Sequence, residues 1–275
     1  DLIDLSLKQD GLVLNYDPWT VSADNKLTVH PTGIVAHNLQ LSNSGSSILV
    51  NSEGDTPTAP LNIKFQDFKI ETLTEIVRKD SLPAEGTING EAQIRDLMTD
   101  LRLTADLNVK DLKVFGNAIG TIDAQVANES ASLYNADVKL SGFDNNLALK
   151  GSYDTAAGSF NANVDIQALQ MTSIQGFSMN QLRDAKGFIS GNLKVSGTTT
   201  NPSILGALKF NDAGFGVTQL NTTFQSMNDE IAFTQRGIEF NSFKINDTDG
   251  NALTINGNVL TKTYRDFAFG LNISA

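Results

Sequence analysis

The segment "NKLTVHPTGIVAHNLQL" (residues 25–41) is written a second time, in different letters, as "DEIAFTQRGIEFNSFKI" (residues 229–245). Leu27, Val29, Gly33, Ile34, Leu39 and Leu41 correspond to Ile231, Phe233, Gly237, Ile238, Phe243 and Ile245, each 204 positions later. Apolar residues two apart, a polar turn closing on Gly, then apolar residues two apart again describe a β-hairpin, because alternate side chains of a strand share one face. A pattern kept at a fixed offset while residue identity is lost marks a structural repeat.

A weaker third copy lies in "SASLYNADVKLSGFDNNLALKG" (130–151), where Val138, Leu140, Leu147 and Leu149 follow Leu39, Leu41, Ile48 and Val50 by 99. A second marker agrees. "GTINGEAQI" (86–94) and "GFISGNLKV" (187–195) share Gly-x-Ile-x-Gly, and 187 − 86 gives 101. Before each marker stands the only helix-like text, "TLTEIVRKD" (72–80) and "SMNQLRDA" (178–185). Thr72 to Glu75 and Ser178 to Gln181 have capping-box spacing, with Leu73, Ile76 and Val77, or Met179 and Leu182, on one helical face. The predicted division is a partial repeat over 1–70 and repeat units over 71–170 and 171–275, all in one continuous β-groove.

The rest of the chain alternates in the same way, as in "LRLTADLNVKDLKV" (101–114), "FNANVDIQAL" (160–169) and "NALTINGNVL" (251–260), between tight Gly and Asn turns. The fold class is therefore all-β: an elongated, curled antiparallel sheet with short interspersed helices. One side of such a sheet is apolar and must be covered. Two short helices cannot cover about twenty strands, roughly 95 Å at ~4.8 Å per strand. Two facing sheets, a closed barrel and one sheet folded lengthwise around an apolar lumen remain. Repetition favours the folded sheet, each unit adding the same slice of wall; tandem sandwiches are the alternative. The predicted lining is Leu27, Val29, Leu39, Leu41, Ile48, Val50, Ile63 and Phe65, then Leu107, Val109, Val138, Leu140, Leu147, Leu149, Val164 and Ile166. It continues through Leu193, Val195, Leu208, Phe210, Ile231, Phe233, Phe243, Ile245, Leu253, Ile255, Phe267, Phe269, Leu271 and Ile273. The first and last strands are expected to have unpaired edges.

Composition narrows the function. The formal charge is −11, from 20 basic and 31 acidic residues, and no run of Lys or Arg forms a nucleic-acid footprint. With no cysteine, disulfides, thiolate zinc sites and cysteine nucleophiles are excluded. No stretch approaches the ~18 apolar residues of a spanning helix, and the first residues lack the pattern of a signal peptide; any membrane anchor is expected outside this segment. His30 and His37 read as solvated turn residues rather than a metal pair. Asp247, Asp249 and Gly250 resemble the opening of a calcium loop but lack its closing Glu and read as a turn. Trp19, in "YDPW", is expected to pack over a turn rather than to stack on a sugar. No nucleophile elbow, phosphate loop or zinc-protease motif occurs, so neither catalysis, metal nor cofactor is expected.

The order "GFISGNLKVSGTTTNPSILGALKFNDAGFGV" (187–217), "GIEFNSFKINDTDGNALTINGNV" (237–259) and "DFAFGLNISA" (266–275) resembles the repeats of the TamB family, within the AsmA-like superfamily of bacterial envelope proteins. The similarity extends, more weakly, over the whole chain. It implies a β-taco in the periplasm of a Gram-negative bacterium, held at the inner membrane through an anchor outside these residues. It further implies a hydrophobic groove for phospholipids and an outer-membrane partner barrel of the TamA or BamA type. Assistance to the folding of outer-membrane barrel proteins is the family's other reading. A tandem-sandwich adhesin or sugar-binding module is the reading outside it.

Overall fold

The computed structural model describes residues 2–14, 16–72, 84–128, 130–219, 221–247 and 250–275. The first strands are short: β1 (Ile3–Leu5), β2 (Leu12–Leu14), β3 (Asp17–Val21), β4 (Lys26–His30), β5 (Gly33–His37), β6 (Leu39–Asn43) and β7 (Ser46–Ser52). Longer ones follow: β8 (Leu61–Lys69), β9 (Ala84–Arg95), β10 (Arg102–Val114), β11 (Asn117–Asn128), β12 (Leu133–Gly142), β13 (Asn145–Asp154) and β14 (Ser159–Gln170). After the helix α1 (Met171–Phe177) come β15 (Leu182–Thr198), β16 (Pro202–Val217), β17 (Thr222–Met227), β18 (Glu230–Thr234), β19 (Gly237–Asn246), β20 (Ala252–Leu260) and β21 (Ala268–Ser274). Eighteen strands belong to one large antiparallel sheet, and β1, β4 and β5 form a small one. The chain divides into two compact units, residues 1–113 with 121–136, and 114–120 with 137–275.

The sequence offsets are offsets in hydrogen-bonding register. Phe65 opposite Gly90 and Phe68 opposite Ile88 recur 101 residues later as Ile166 opposite Gly191 and Leu169 opposite Ile189, with the register slip at the same place. Leu27 opposite Ala36 and Val29 opposite Ile34 recur 204 later as Ile231 opposite Phe240 and Phe233 opposite Ile238. Ile48 opposite Phe65 and Val50 opposite Ile63 recur as Leu147 opposite Ile166 and Leu149 opposite Val164.

Bulges bend these strands. Asn38, Asp67, Asp212 and Ser242 have φ of 42, 42, 46 and 53°. Each donates its N–H to the side-chain carbonyl of an Asn: Asn51 (2.9 Å), Asn89 (2.9 Å), Asn228 (2.8 Å) and Asn256 (2.8 Å) respectively. An extra residue in one strand bends it, and the Asn satisfies the amide that leaves the ladder. In the second unit the core collects at the crease: Met171, Ile189, Ala213, Met227 and Phe243 are buried together. Side chains from both arms join it, Leu208 and Phe210 before Asp212 with Phe215 after it, and Phe240 before Ser242 with Ile245 after it. Phe240 and Phe210 meet Phe243 edge-on at 5.7 and 5.3 Å. Of the interrupted pair, β18 lies between one arm of β16 and β19, and β17 between their other arms, so the two are halves of one strand broken at Asn228 and Asp229.

In the first unit the bulge at Asn38, 204 before that at Ser242, separates β5 from β6. Trp19, 3% exposed on β3, packs on Phe68 at 5.6 Å, with Val21, Val35 and Ala36 also buried. Trp19 is thus a core residue of a strand, where the sequence suggested a cover over a turn.

The helix expected over 178–185 is displaced. Met179 and Asn180 have φ of 50 and 63°, Ser178 closes α1 with its hydroxyl on the Gln175 carbonyl, and Leu182 opens β15. The helical text is instead "MTSIQGF", which carries Thr, Ser and Gly, no acid in its first turn and no side-chain cap. Packing holds it: Gly176 is buried, and a Cβ on it would lie 3.0 Å from the Val114 carbonyl oxygen, so the bare backbone lets the helix seat closely there. Of the other predicted helix, residues 70–72 are helical, while Leu73, Glu75, Ile76 and Val77 lie outside the described residues.

Candidate functional site

Cross-strand partners stand on the same face of a sheet, so the registers can be read as rows. In the second unit one row is Leu147, Ile166, Gly191, Leu208, Ile231, Phe240, Gly257 and Leu271. The next is Leu149, Val164, Leu193, Gly206, Phe233, Ile238, Val259 and Phe269. Neither row contains a charged or hydrogen-bonding side chain. Beyond them run Gly151, Ala162, Val195 and Ile204. The intervening row, on the opposite face, includes Asp165, Asn192, Glu239 and Asn258. Burial shows what kind of apolar face this is. Of the two long rows Ile166 and Val259 are buried, Phe269 and Gly206 are exposed, and the remainder are half-buried.

The first unit repeats the arrangement with Leu41, Ile48, Phe65 and Gly90 in one row and Leu39, Val50, Ile63 and Ala92 in the next, all half-buried. Leu107 and Val109 on β10 are half-buried, and the Leu107 α-carbon lies 3.0 Å from where a Cβ on Gly90 would stand. Val138 and Leu140 are half-buried on β12. Phe243, Ile255 and Ile273 form a row across the crease, with Ile245 opposite Leu253 beside it, and Phe210 faces Ile189. Leu27 and Val29 belong to the small sheet, paired with Leu5 and Ile3 on one side and Ala36 and Ile34 on the other. Phe267 precedes β21 and is 47% exposed.

His30 and His37 stand at opposite ends of their hairpin, since His30 pairs with Gly33 and Lys26 with His37. The His37 Nε2 lies 3.4 Å from Asp55. The Asp247 carboxylate accepts from the backbone and side-chain N–H of Asn251, closing its loop; Asp249 lies outside the described residues. Among the described residues no three His, Cys, Asp or Glu side chains gather as a metal site, and no helix is long and apolar enough to cross a membrane.

Comparison with family models, with curated proteins and with solved structures gives no match.

Several residues that shape the face escaped the sequence reading. Gly191 and Gly90 have φ of 145 and 121°, and a Cβ on either would lie 2.1 Å from a neighbouring carbonyl oxygen, that of Ala207 or Asp106. Here too the partners are 101 apart. Asn89 and Asn256, which accept the bulge amides, both sit in the tetrapeptide Thr-Ile-Asn-Gly (87–90 and 254–257), and that repeated word was the available signal. Asn145, 4% exposed, had none. Its side chain donates to the Ile119 carbonyl and the Ser173 hydroxyl, both at 2.8 Å, and accepts from Gln170 N–H at 2.7 Å.

Proposed function

We propose that this chain is the curled-sheet part of a TamB-like lipid conduit, whose apolar rows hold phospholipid acyl chains while headgroups remain in water. The two eight-residue rows without a polar side chain, left largely half-buried, carry this reading. A sandwich core would bury them. A row through eight strands spans seven gaps, about 34 Å at ~4.8 Å each, more than the ~15 Å that one leaflet contributes to a bilayer's ~30 Å hydrocarbon core. Each CH₂ kept from water is worth ~0.8 kcal/mol, so a two-chain lipid faces on the order of 20 kcal/mol in crossing water unaided. A continuous apolar track removes most of that barrier with no catalytic residue, cofactor or metal. In this reading the segment works in the periplasm, between an inner-membrane anchor and an outer-membrane barrel of the TamA or BamA type.

Adjacent residues on opposite faces supply the test. Leu193 lies in the second row between Val164 and Gly206, whereas Asn192 is exposed on the other face. An Arg at either site has access to water, because its long stem carries the charge outward. Native mass spectrometry of the purified chain is expected to show bound phospholipid, lost in Leu193→Arg and kept in Asn192→Arg, with both variants folded by circular dichroism. Absence of lipid from the parent chain, or equal retention by both variants, overturns the conduit.

A further inference from the structure

Along the strands of the second unit, the apolar face ends at a cleft framed by three connections: the turn before β16, the turn between β18 and β19, and the segment from β20 to β21. Ile204, opposite Val195 in the row beyond Leu193 and Gly206, lines this cleft, and so does Thr261, two residues past Val259. The cleft is therefore continuous with the apolar rows. The Thr261 N–H donates to the Arg236 carbonyl at 2.9 Å, which extends the pairing of β19 with β20 to the cleft wall. The enclosed volume is about 280 Å³, just under the ~300–1,000 Å³ of small-molecule sites. That admits a polar headgroup but not a whole lipid.

Its lining is chemically one-sided. Among the described residues around it Lys262 alone is charged, in a chain whose formal charge is −11. The side chains of Asn201, Ser203, Lys262 and Tyr264 have no hydrogen-bond or ionic partner among the described residues, and all four can donate. Thr261, buried, accepts from the Tyr264 N–H at 2.9 Å and keeps its own hydroxyl proton to give. That bond folds the connection back at Tyr264, whose φ is 55°. Burial pushes the Tyr264 phenol above its ordinary value of 10.0, so it is an O–H donor at neutral pH. A cation among unpaired donors, with no carboxylate in the wall, matches an anion rich in acceptor oxygens.

The repeat does not require this chemistry. At the 101-residue offset Asn201 and Ser203 stand where the preceding copy has Asp100 and Arg102, whose side chains pair with each other at 3.1 Å. The offset holds across this stretch, since Asp111 and Asp212 both take positive φ, 51 and 46°. In one copy the charges satisfy each other. In the next they give way to neutral donors beside Lys262.

We propose that this cleft is a phosphate-ester site, which takes the headgroup phosphate of a lipid whose acyl chains lie on the apolar rows. The assignment rests on the conduit reading for those chains, and the test separates the two. Binding to the full 275-residue chain is measured by calorimetry for lysophosphatidylglycerol and for a monoacylglycerol of the same chain length, both below their micelle concentrations, and for sn-glycerol 3-phosphate. Amide shifts of Ser203, Thr261 and Tyr264 are followed by NMR. The lysophospholipid is expected to move those amides and to bind about tenfold or more tighter than either other probe. Lys262→Glu is expected to cut the preference over monoacylglycerol to less than about threefold, whereas Lys194→Glu, beside Leu193 on the opposite face, keeps it. Equal binding of the two lipids, or a preference unchanged in Lys262→Glu, overturns the site and leaves the conduit standing. Glycerol phosphate bound as tightly as the lysophospholipid, with no binding of monoacylglycerol, makes the cleft a site for soluble phosphate esters and overturns both its lipid assignment and the conduit. No binding of any of the three overturns both as well.

Discussion

Gly191 shows how tightly a single residue is bound to this fold. Its φ of 145° and a would-be Cβ contact of 2.1 Å with backbone oxygen leave no room for a side chain, whereas Gly45, with φ of 89°, has nothing within 4 Å of its would-be Cβ. Gly191→Ala is expected to lower stability by about 2 kcal/mol or more, from backbone strain plus displacement of β16. Gly45→Ala should lower it by about 1 kcal/mol, from conformation alone; urea midpoints measure both. Asp4 responds to pH instead. The Thr28 hydroxyl (2.6 Å), followed by the Lys26 ammonium (3.1 Å), holds its carboxyl below the ordinary value of 3.8. A depressed carboxyl pKa stabilises the folded form above the unfolded value, and that contribution is lost as pH falls through the folded one. Protection of the amides in the pairing of β1 with β4, taken relative to their intrinsic exchange rate at each pH, is therefore expected to be steady down to about pH 5 and to fall below about 4. Asp4→Asn should remove that dependence; a variant that keeps it assigns the pH response to another group.

At the scale of elements, the contrast between Asn145 and Ser46 is informative, because 46 + 99 gives 145 and both are buried, at 4% and 5% exposure respectively. Asn145 joins β11, β14 and α1 through three hydrogen bonds, while the Ser46 hydroxyl has no hydrogen-bond partner among the described residues. Asn145→Ala leaves buried groups unpaired and is expected to cost about 2–4 kcal/mol. It should also raise hydrogen exchange across α1. Ser46→Ala removes an unpaired hydroxyl and is expected to change stability by less than about 1 kcal/mol, or to raise it. Thermal melts of the two variants check the pair, and an equal loss in both would show that the hydrogen bonds of Asn145 do not anchor the helix. The crease has the same character. Asn256→Ala leaves the Ser242 amide to water and is expected to cost about 1 kcal/mol, with faster exchange at Ser242.

For the whole molecule, half-exposed apolar rows predict a ligand-dependent stability. On the proposed conduit reading, the lipid-free chain is expected to raise the fluorescence of an apolar dye such as anilinonaphthalene sulfonate, and a titrated lysophospholipid should displace it. Lipid at a hundred times its dissociation constant should stabilise the fold by about 2.7 kcal/mol. Dye that is neither bound nor displaced would mean that the rows are closed to ligands. The repeat also spans scales differently from compactness. Pairing registers recur every 101 residues or so, while contacts group the chain into two units, because a sheet extended strand by strand holds each strand mainly to its neighbours.

The sequence by itself determined the strands, which side chains share a face, and the repeat. Side-chain alternation is a local property of extended backbone, so Leu147, Leu149, Val164 and Ile166 could be assigned to one face without knowing what faced them. Tertiary structure alone decided where each strand bends, which helix forms and which residues close the core. The capping spacing of Ser178 was misleading because Met179 and Asn180 take positive φ there, and the poor helical text of Met171–Phe177 is helical because Asn145 and the bare Gly176 seat it. Trp19 was misplaced for the same reason, its partner Phe68 lying on a distant strand. Bulges, buried locks and core contacts are set by partners far away in the chain, and the periodicity of a single strand does not encode them.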